Sequence, residues 1–309
     1  MLQTEAFKTL AASEPGDGLQ VRLAALDGYE LGGVLYAPQV TRMPQRVAVV
    51  HSGAGIPTKR YRRFARFLAD SGIPVLTYDY RGIGLSRPAE LRGFVASIED
   101  WAEYDCAGAI AWMCARFPSA EITGIAHSVG ALLLGGAHNA AAQARLVWIG
   151  AHTGYFGDYR RLYRLPMAAV WHGLMPAVTR VVGYFPARRL GLGEDIPAGI
   201  ALQWAVRRSP DLRPTGTSPA DERTRRLLDR CAALERPVLL VSISDDAFAT
   251  AASTRRLLTY YPRLVLEQHL LFTPAEAGVR RIGHFGFFGR AAGAALWPRL
   301  LAELEPKRG

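Results

Sequence analysis

The chain has 309 residues, 50% of them hydrophobic, and a formal net charge of +10. That apolar fraction supplies one large core and excludes a disordered chain. The positive charge comes overwhelmingly from scattered arginines, with no zinc finger, recognition helix or aromatic-interleaved basic motif, so composition bias explains it and nucleic-acid binding is not expected.

Other function classes fall on similar grounds. Residues 1–17 carry acidic side chains and lack the basic-then-apolar layout of a signal peptide, and no apolar run reaches the ~18 residues of a membrane span. The expected setting is cytoplasmic, without stable membrane insertion. Cys106 and Cys114 fall on one predicted helix and Cys231 ends another, which suits buried, reduced thiols. The histidines form no cluster at ligand spacing, so no metal is expected.

In chain order, residues 19–26 and 29–36 flank Asp27-Gly28 and read as an antiparallel hairpin, because Asp-Gly supplies the positive φ angles of a tight turn. Strands near 46–50, 74–78, 120–126, 145–150, 237–243 and 263–270 then alternate with helices near 59–71, 99–117, 129–142, 221–234, 251–260 and 290–304. Right-handed crossovers turn that alternation into a mostly parallel sheet with helices on both faces and a site at the strand carboxyl ends. The core takes residues 1–152 and 221–309. The intervening segment, 153–220, is not needed by the sheet and reads as a mainly helical cap.

Several segments carry chemistry. The strand at 46–50 ends in His51-Ser52-Gly53-Ala54-Gly55, a turn able to aim backbone N–H groups outward. The strand at 120–126 runs into Ala126-His127-Ser128-Val129-Gly130. A serine at such a strand-to-helix turn is held in a strained backbone that exposes its hydroxyl, and its flanks must be small; Ala126 stands where the usual pattern has glycine. The strand at 237–243 leads into Asp245-Asp246, and Gly283-His284-Phe285-Gly286 lies just before the last helix. The order Ser, Asp, His, each at a strand end or on the next loop, suits nucleophilic catalysis by Ser128 with His284 as base and an aspartate to orient it. Asp246, with an apolar stretch and Thr250 after it, fits the acid's register better than Asp245. Oxyanion donors are expected from Val129 N–H and from Gly53 or Ala54 N–H.

These segments resemble the α/β-hydrolase superfamily over most of the chain. Asp79-Tyr80-Arg81-Gly82-Ile83-Gly84-Leu85-Ser86 is similar to a structural D-x-R-G-x-G-x-S segment of many members. The fit is best with bacterial predicted α/β hydrolases of undefined substrate, and a distant similarity to homoserine acetyltransferase-like enzymes is present. The resemblance implies a cofactor-free carboxylic-ester or thioester hydrolase. An acyltransferase with the same three residues stays open, as does, less favourably, a non-catalytic binding protein.

The cap is rich in aromatic and aliphatic side chains, from which Tyr155, Trp171 and Trp204 are the candidates to line a pocket for an apolar acyl substrate. His127 is expected to serve the core, and His51 to order the turn that it opens. His138, His152, His172 and His269 lack a motif and are taken as structural or exposed, although His152 follows a strand end and so could face the pocket. The sequence is silent on oligomeric state.

Overall fold

The computed structural model describes residues 18–38 and 43–305; the expectations for residues 1–17 and for the last four lie outside them. The aliphatic runs become one eight-stranded sheet in the order β1-β2-β4-β3-β5-β6-β9-β10. Its strands are β1 (Leu19–Ala24), β2 (Glu30–Tyr36), β3 (Arg46–His51), β4 (Val75–Tyr78), β5 (Glu121–His127), β6 (Gln143–Ile149), β9 (Pro237–Ile243) and β10 (Val265–Phe272); β7 and β8 belong to the cap. The pairings β1–β2 and β2–β4 are antiparallel and the rest parallel. The central strands are covered on both faces, which is why they read as continuous aliphatic runs rather than alternating ones.

Two cores sandwich this sheet. One gathers Trp101, Ile110, Leu133, Trp148, Leu227 and Leu257. The other gathers Phe64, Leu68, Val147, Phe287, Leu296 and Leu300. After β3 the chain passes to β4 on one side and then returns to β5 on the other, so the carboxyl ends of β3 and β5 form the point where strand order reverses. Loops diverge there and leave a crevice.

Some element bounds differ from expectation. The helix after β5 covers only Gly130–Gly135 instead of running to 142. The glycine pair 135–136 is a poor helix former, and a Cβ at Gly135 would lie 2.0 Å from the Tyr261 hydroxyl oxygen, so close packing fixes glycine where the helix stops. The last strand lies about two residues later than expected and carries a bulge between Leu266 and Gln268, a pairing feature that a hydrophobic pattern does not encode. The Asp79 segment is structural: its carboxylate accepts Thr58 N–H at 2.7 Å and Leu85 N–H at 2.8 Å. Burial nevertheless pushes that carboxyl up to about 6. Cys106 and Cys231 are buried, whereas Cys114 is half-buried.

Between β6 and the helix Pro219–Ala233 lies a helical cap insertion. It comprises helices Arg161–Ala169, Met175–Val182 and Ala198–Val206, a π-helical turn Val170–Leu174, and the two-residue strands β7 (Tyr184–Phe185) and β8 (Ile196–Pro197). Its own core is small: Met175, Phe185, Ala187 and Ala201. Polar ties hold it to the sheet domain, among them Ile98 N–H to Gln203 Oε1 at 2.7 Å and Arg87 to Asp195 at 2.9 Å.

Candidate active site

Ser128 is the only non-glycine residue among those described with a left-handed backbone, at φ 60°. That conformation costs on the order of 1–3 kcal/mol for a residue with a Cβ and is kept only where the surroundings over-determine it. Here Ser128 N–H donates to Ile149 O at 3.1 Å, and Ala131 N–H returns to Ser128 O. Gly130 has no alternative, since a Cβ there would come within 2.4 Å of His51 O. At the other flank Ala126 is fully buried in β5 and its methyl is accommodated.

The loop after β9 and the short helix Gly283–Gly286 bring two more groups to the hydroxyl. Ser128 Oγ lies 3.0 Å from His284 Nε2, and His284 Nδ1 lies 2.7 Å from Asp246 Oδ2. The second Asp246 oxygen accepts Phe248 N–H at 2.8 Å and Ala249 N–H at 3.0 Å. Burial pushes the Asp246 carboxyl up, but the hydrogen bond and charge of His284 and these N–H groups outweigh it and hold the group at about 2. The ionised carboxylate therefore accepts a hydrogen bond from His284 Nδ1–H, which leaves Nε2 free to accept from the Ser128 hydroxyl. Asp245 points elsewhere: its oxygens accept Ile282 N–H at 3.0 Å and Gly283 N–H at 2.9 Å, fastening the loop that carries His284.

A second imidazole touches the same oxygen. His152 Nε2 lies 2.9 Å from Ser128 Oγ, and its Nδ1 accepts Gly154 N–H at 2.8 Å. This side chain, grouped in the sequence with histidines lacking a motif, is buried in the site. Burial and the neighbouring His284 push it down to about 3, so it is neutral. His127 faces away from Ser128 as expected: Nδ1 meets the Tyr61 hydroxyl at 2.9 Å and Nε2 donates to His284 O at 3.1 Å. His51 binds Tyr78 and Gln143 side chains at 2.8 and 2.9 Å, so it braces the sheet rather than the turn it opens.

The turn after β3 lies close against Ser128. A Cβ on Gly53 would sit 3.0 Å from Ser128 Cβ. Of the two candidate donors there, Gly53 N–H already donates to the Tyr61 hydroxyl at 3.2 Å. Ala54 lines the cavity beside Ser128, as does Val129.

Residues 42–183 match the family model described as serine aminopeptidase, S33, a span just short of half the chain. The fold is shared with an esterase from Pyrococcus furiosus (14% identity, 93% of this chain and 90% of that one covered, TM-score 0.56). It is also shared with esterase RhEst1 from Rhodococcus sp. (15%, 92% and 98%, TM-score 0.54) and with a monoacylglycerol lipase from Paleococcus ferrophilus (15%, 89% and 98%, TM-score 0.52). No curated protein sequence matches the chain significantly. The chain has the α/β-hydrolase fold.

A cavity of about 500 Å³ opens over Ser128, between the strand ends and the cap. Trp171 and Trp204 both line it, edge to face with ring centroids 5.4 Å apart. Tyr155 does not. The chain turns at Gly154, at φ 84°, so that Tyr155 packs at a tilt against Phe156 and lies under the Arg256 guanidinium, 5.2 Å from ring centroid. Tyr159, four residues on, lines the cavity instead, packed against Trp171 and Phe248. The remaining wall is mainly aliphatic, with Arg60 as its cation. Among the described residues no group of His, Cys, Asp and Glu has the arrangement of a metal site, and no helix is long and apolar enough to cross a membrane.

Proposed function

We propose that the chain is a serine hydrolase that cleaves carboxylic esters or thioesters through an acyl-enzyme on Ser128. The observation that carries this reading is the unbroken contact Ser128 Oγ–His284 Nε2–Asp246 Oδ2, at 3.0 and 2.7 Å, on a serine held in a left-handed turn. In the first step Oγ bonds to the acyl carbon, its proton passes to His284 Nε2, and the carbonyl electron pair moves onto oxygen. Val129 and Ala54 N–H are the donors proposed for that oxygen. Collapse expels the leaving group with the proton from His284, and water repeats the sequence to release the acid.

The cavity favours an apolar acyl group. The name of the matched family model invites a peptide with a free amino terminus, but an ammonium group calls for a carboxylate partner. None lines the cavity among the described residues, whereas Arg60 does. The core–cap division near residues 153–220 suits the same reading, with the cap choosing the acyl chain. The test is labelling by a fluorophosphonate followed by peptide mapping: modification at Ser128, lost in Ser128→Ala together with hydrolysis of p-nitrophenyl esters, is the expected result. Modification elsewhere would overturn the assignment. Product analysis with added alcohols or amines separates hydrolysis from acyl transfer.

A further inference from the structure

We propose that His152 is a second catalytic histidine of this site, a neutral hydrogen-bond donor to Ser128 Oγ that carries part of the charge when that oxygen attacks and when it leaves; this rests on Ser128 being the nucleophile. The two imidazoles reach the same oxygen at nearly equal distance, 3.0 Å from His284 and 2.9 Å from His152. Their other ring nitrogens assign them opposite tasks. Facing a carboxylate, His284 Nδ1 must hold a proton, so its Nε2 accepts. Facing the Gly154 N–H at 2.8 Å, His152 Nδ1 must be bare, so its proton sits on Nε2 and points at Ser128. His152 therefore cannot receive the serine proton. It can only donate.

A donor aimed at a nucleophile helps only if it binds the developing charge better than the resting hydroxyl. That condition is met, because a hydrogen bond to an ionised acceptor is roughly twice as strong as one between neutral groups. As the Oγ proton moves to His284, negative charge grows on Oγ while its bond to the acyl carbon forms, and the His152 N–H bond strengthens. In the acyl-enzyme Oγ is an ester oxygen and a poor acceptor. When water has added, the carbon–Oγ bond breaks, the electron pair returns to Oγ, and the same donor meets it before His284 returns the proton. Neither step needs a co-reactant beyond substrate and water.

The backbone fixes this geometry. β5 and β6 are parallel neighbours with His127 opposite Ile149, and His152 N–H reaches Ser128 O at 3.4 Å. His152 is 4% exposed and its ring packs 5.3 Å from His284 and 5.8 Å from Tyr159. Its freedom to turn away from Oγ is correspondingly small.

Two variants separate donation from packing. His152→Phe keeps a ring but removes the donor, while His152→Gln keeps an N–H at about the same reach. The rate of fluorophosphonate attachment at Ser128 reports the attack step, and kcat and KM on p-nitrophenyl butyrate report turnover. We expect His152→Phe to slow both attachment and kcat by about 10- to 100-fold with KM little changed, less than the loss of a full oxyanion-hole donor because the charge on Oγ is partial. His152→Gln should recover most of it. Equal slowing in both variants at matched thermal stability would make the ring a packing element, and an unchanged rate in His152→Phe would remove the role. In His152→Gln the dependence of kcat/KM on a protonatable base should persist; its disappearance would make His152 the base and overturn the tautomer assignment. Absence of any label at Ser128 in the unmodified protein would instead overturn the function proposed above.

Discussion

The floor of the cavity and its roof are built on different physics. On the floor, Ser128, His284, His152 and Asp246 are all buried, and each is held by at least two hydrogen bonds to groups from separate elements. In the roof, helix Arg161–Ala169 and the turn Val170–Leu174 bury no residue at all, and Leu162 and Leu165 stand about 80% in solvent, at 80% and 81%. The floor is determined from many directions and tolerates little; the roof is held by a few contacts and can vary. On the proposed function, chemistry that needs placement to a fraction of an ångström falls to the first, and substrate choice, which needs shape and apolar area, to the second.

Substitutions can test how sharp that division is. The largest effect is expected on the floor: Asp246→Asn should lower kcat on p-nitrophenyl esters by about 10³- to 10⁴-fold, because the amide no longer fixes the His284 tautomer. Asp245→Asn should cost far less, since it affects only the anchoring of Ile282 and Gly283 N–H. Comparable losses would mean that the two neighbouring aspartates share one task.

A smaller effect of the same residue concerns stability. Asp246 is held at about 2, against an ordinary 3.8. A carboxyl depressed by folding stabilises the native state above its unfolded value and loses that contribution as pH falls from about 4 to about 2. The wild type should therefore lose about 2 kcal/mol across this window that Asp246→Asn does not. Urea unfolding of both proteins along a pH series measures it, and parallel curves would contradict the ionised pair.

On the roof, Trp171→Ala or Trp204→Ala should leave fluorophosphonate labelling of Ser128 intact but flatten the preference for longer acyl chains. In the unmodified protein each added methylene should contribute roughly 0.8 kcal/mol until the cavity is full. A flat profile there would reduce the roof to packing. Least of all should change in Leu165→Ala, whose side chain is already in water: thermal stability and kcat/KM should stay within about 0.5 kcal/mol of the parent. A large loss would show that the outer face of the roof is covered in the working protein.

Much of the fold was legible because buried parallel strands and amphipathic helices have different periods, and because glycines mark the loops between them. Segments such as 120–126 followed by Ser128, or 237–243 followed by Asp245-Asp246, announce a strand end with a functional group on it. What pattern could not supply was adjacency. His152 lies three residues beyond the end of β6, and only the pairing of β6 with β5 brings it to Ser128. The signal that could have raised it is the rule that neighbouring parallel strands end level, so a titratable residue just after either belongs to the same crevice. Tyr155 was misjudged for a related reason: aromatic content does not tell which side of a turn a ring will take, and Gly154 decides it. Tyr61, part of a helical pattern, gave no hint that its hydroxyl would take up the Gly53 N–H.

That hydroxyl links more than its own neighbours. Gly53 N–H donates to the Tyr61 hydroxyl oxygen, Tyr61 O–H donates to His127 Nδ1, and His127 Nε2–H donates to His284 O, so a single chain of bonds runs from the turn after β3 to the loop that carries His284. The amide of Gly53 then cannot exchange its hydrogen with solvent by a local flicker of its own turn. Exchange must wait for Tyr61 to release it, and burial pins Tyr61 within the same core as Phe64 and Phe288. In hydrogen–deuterium exchange this one turn residue should behave like the interior of the sheet, with a lifetime set by sub-global opening, while amides of the roof should exchange faster.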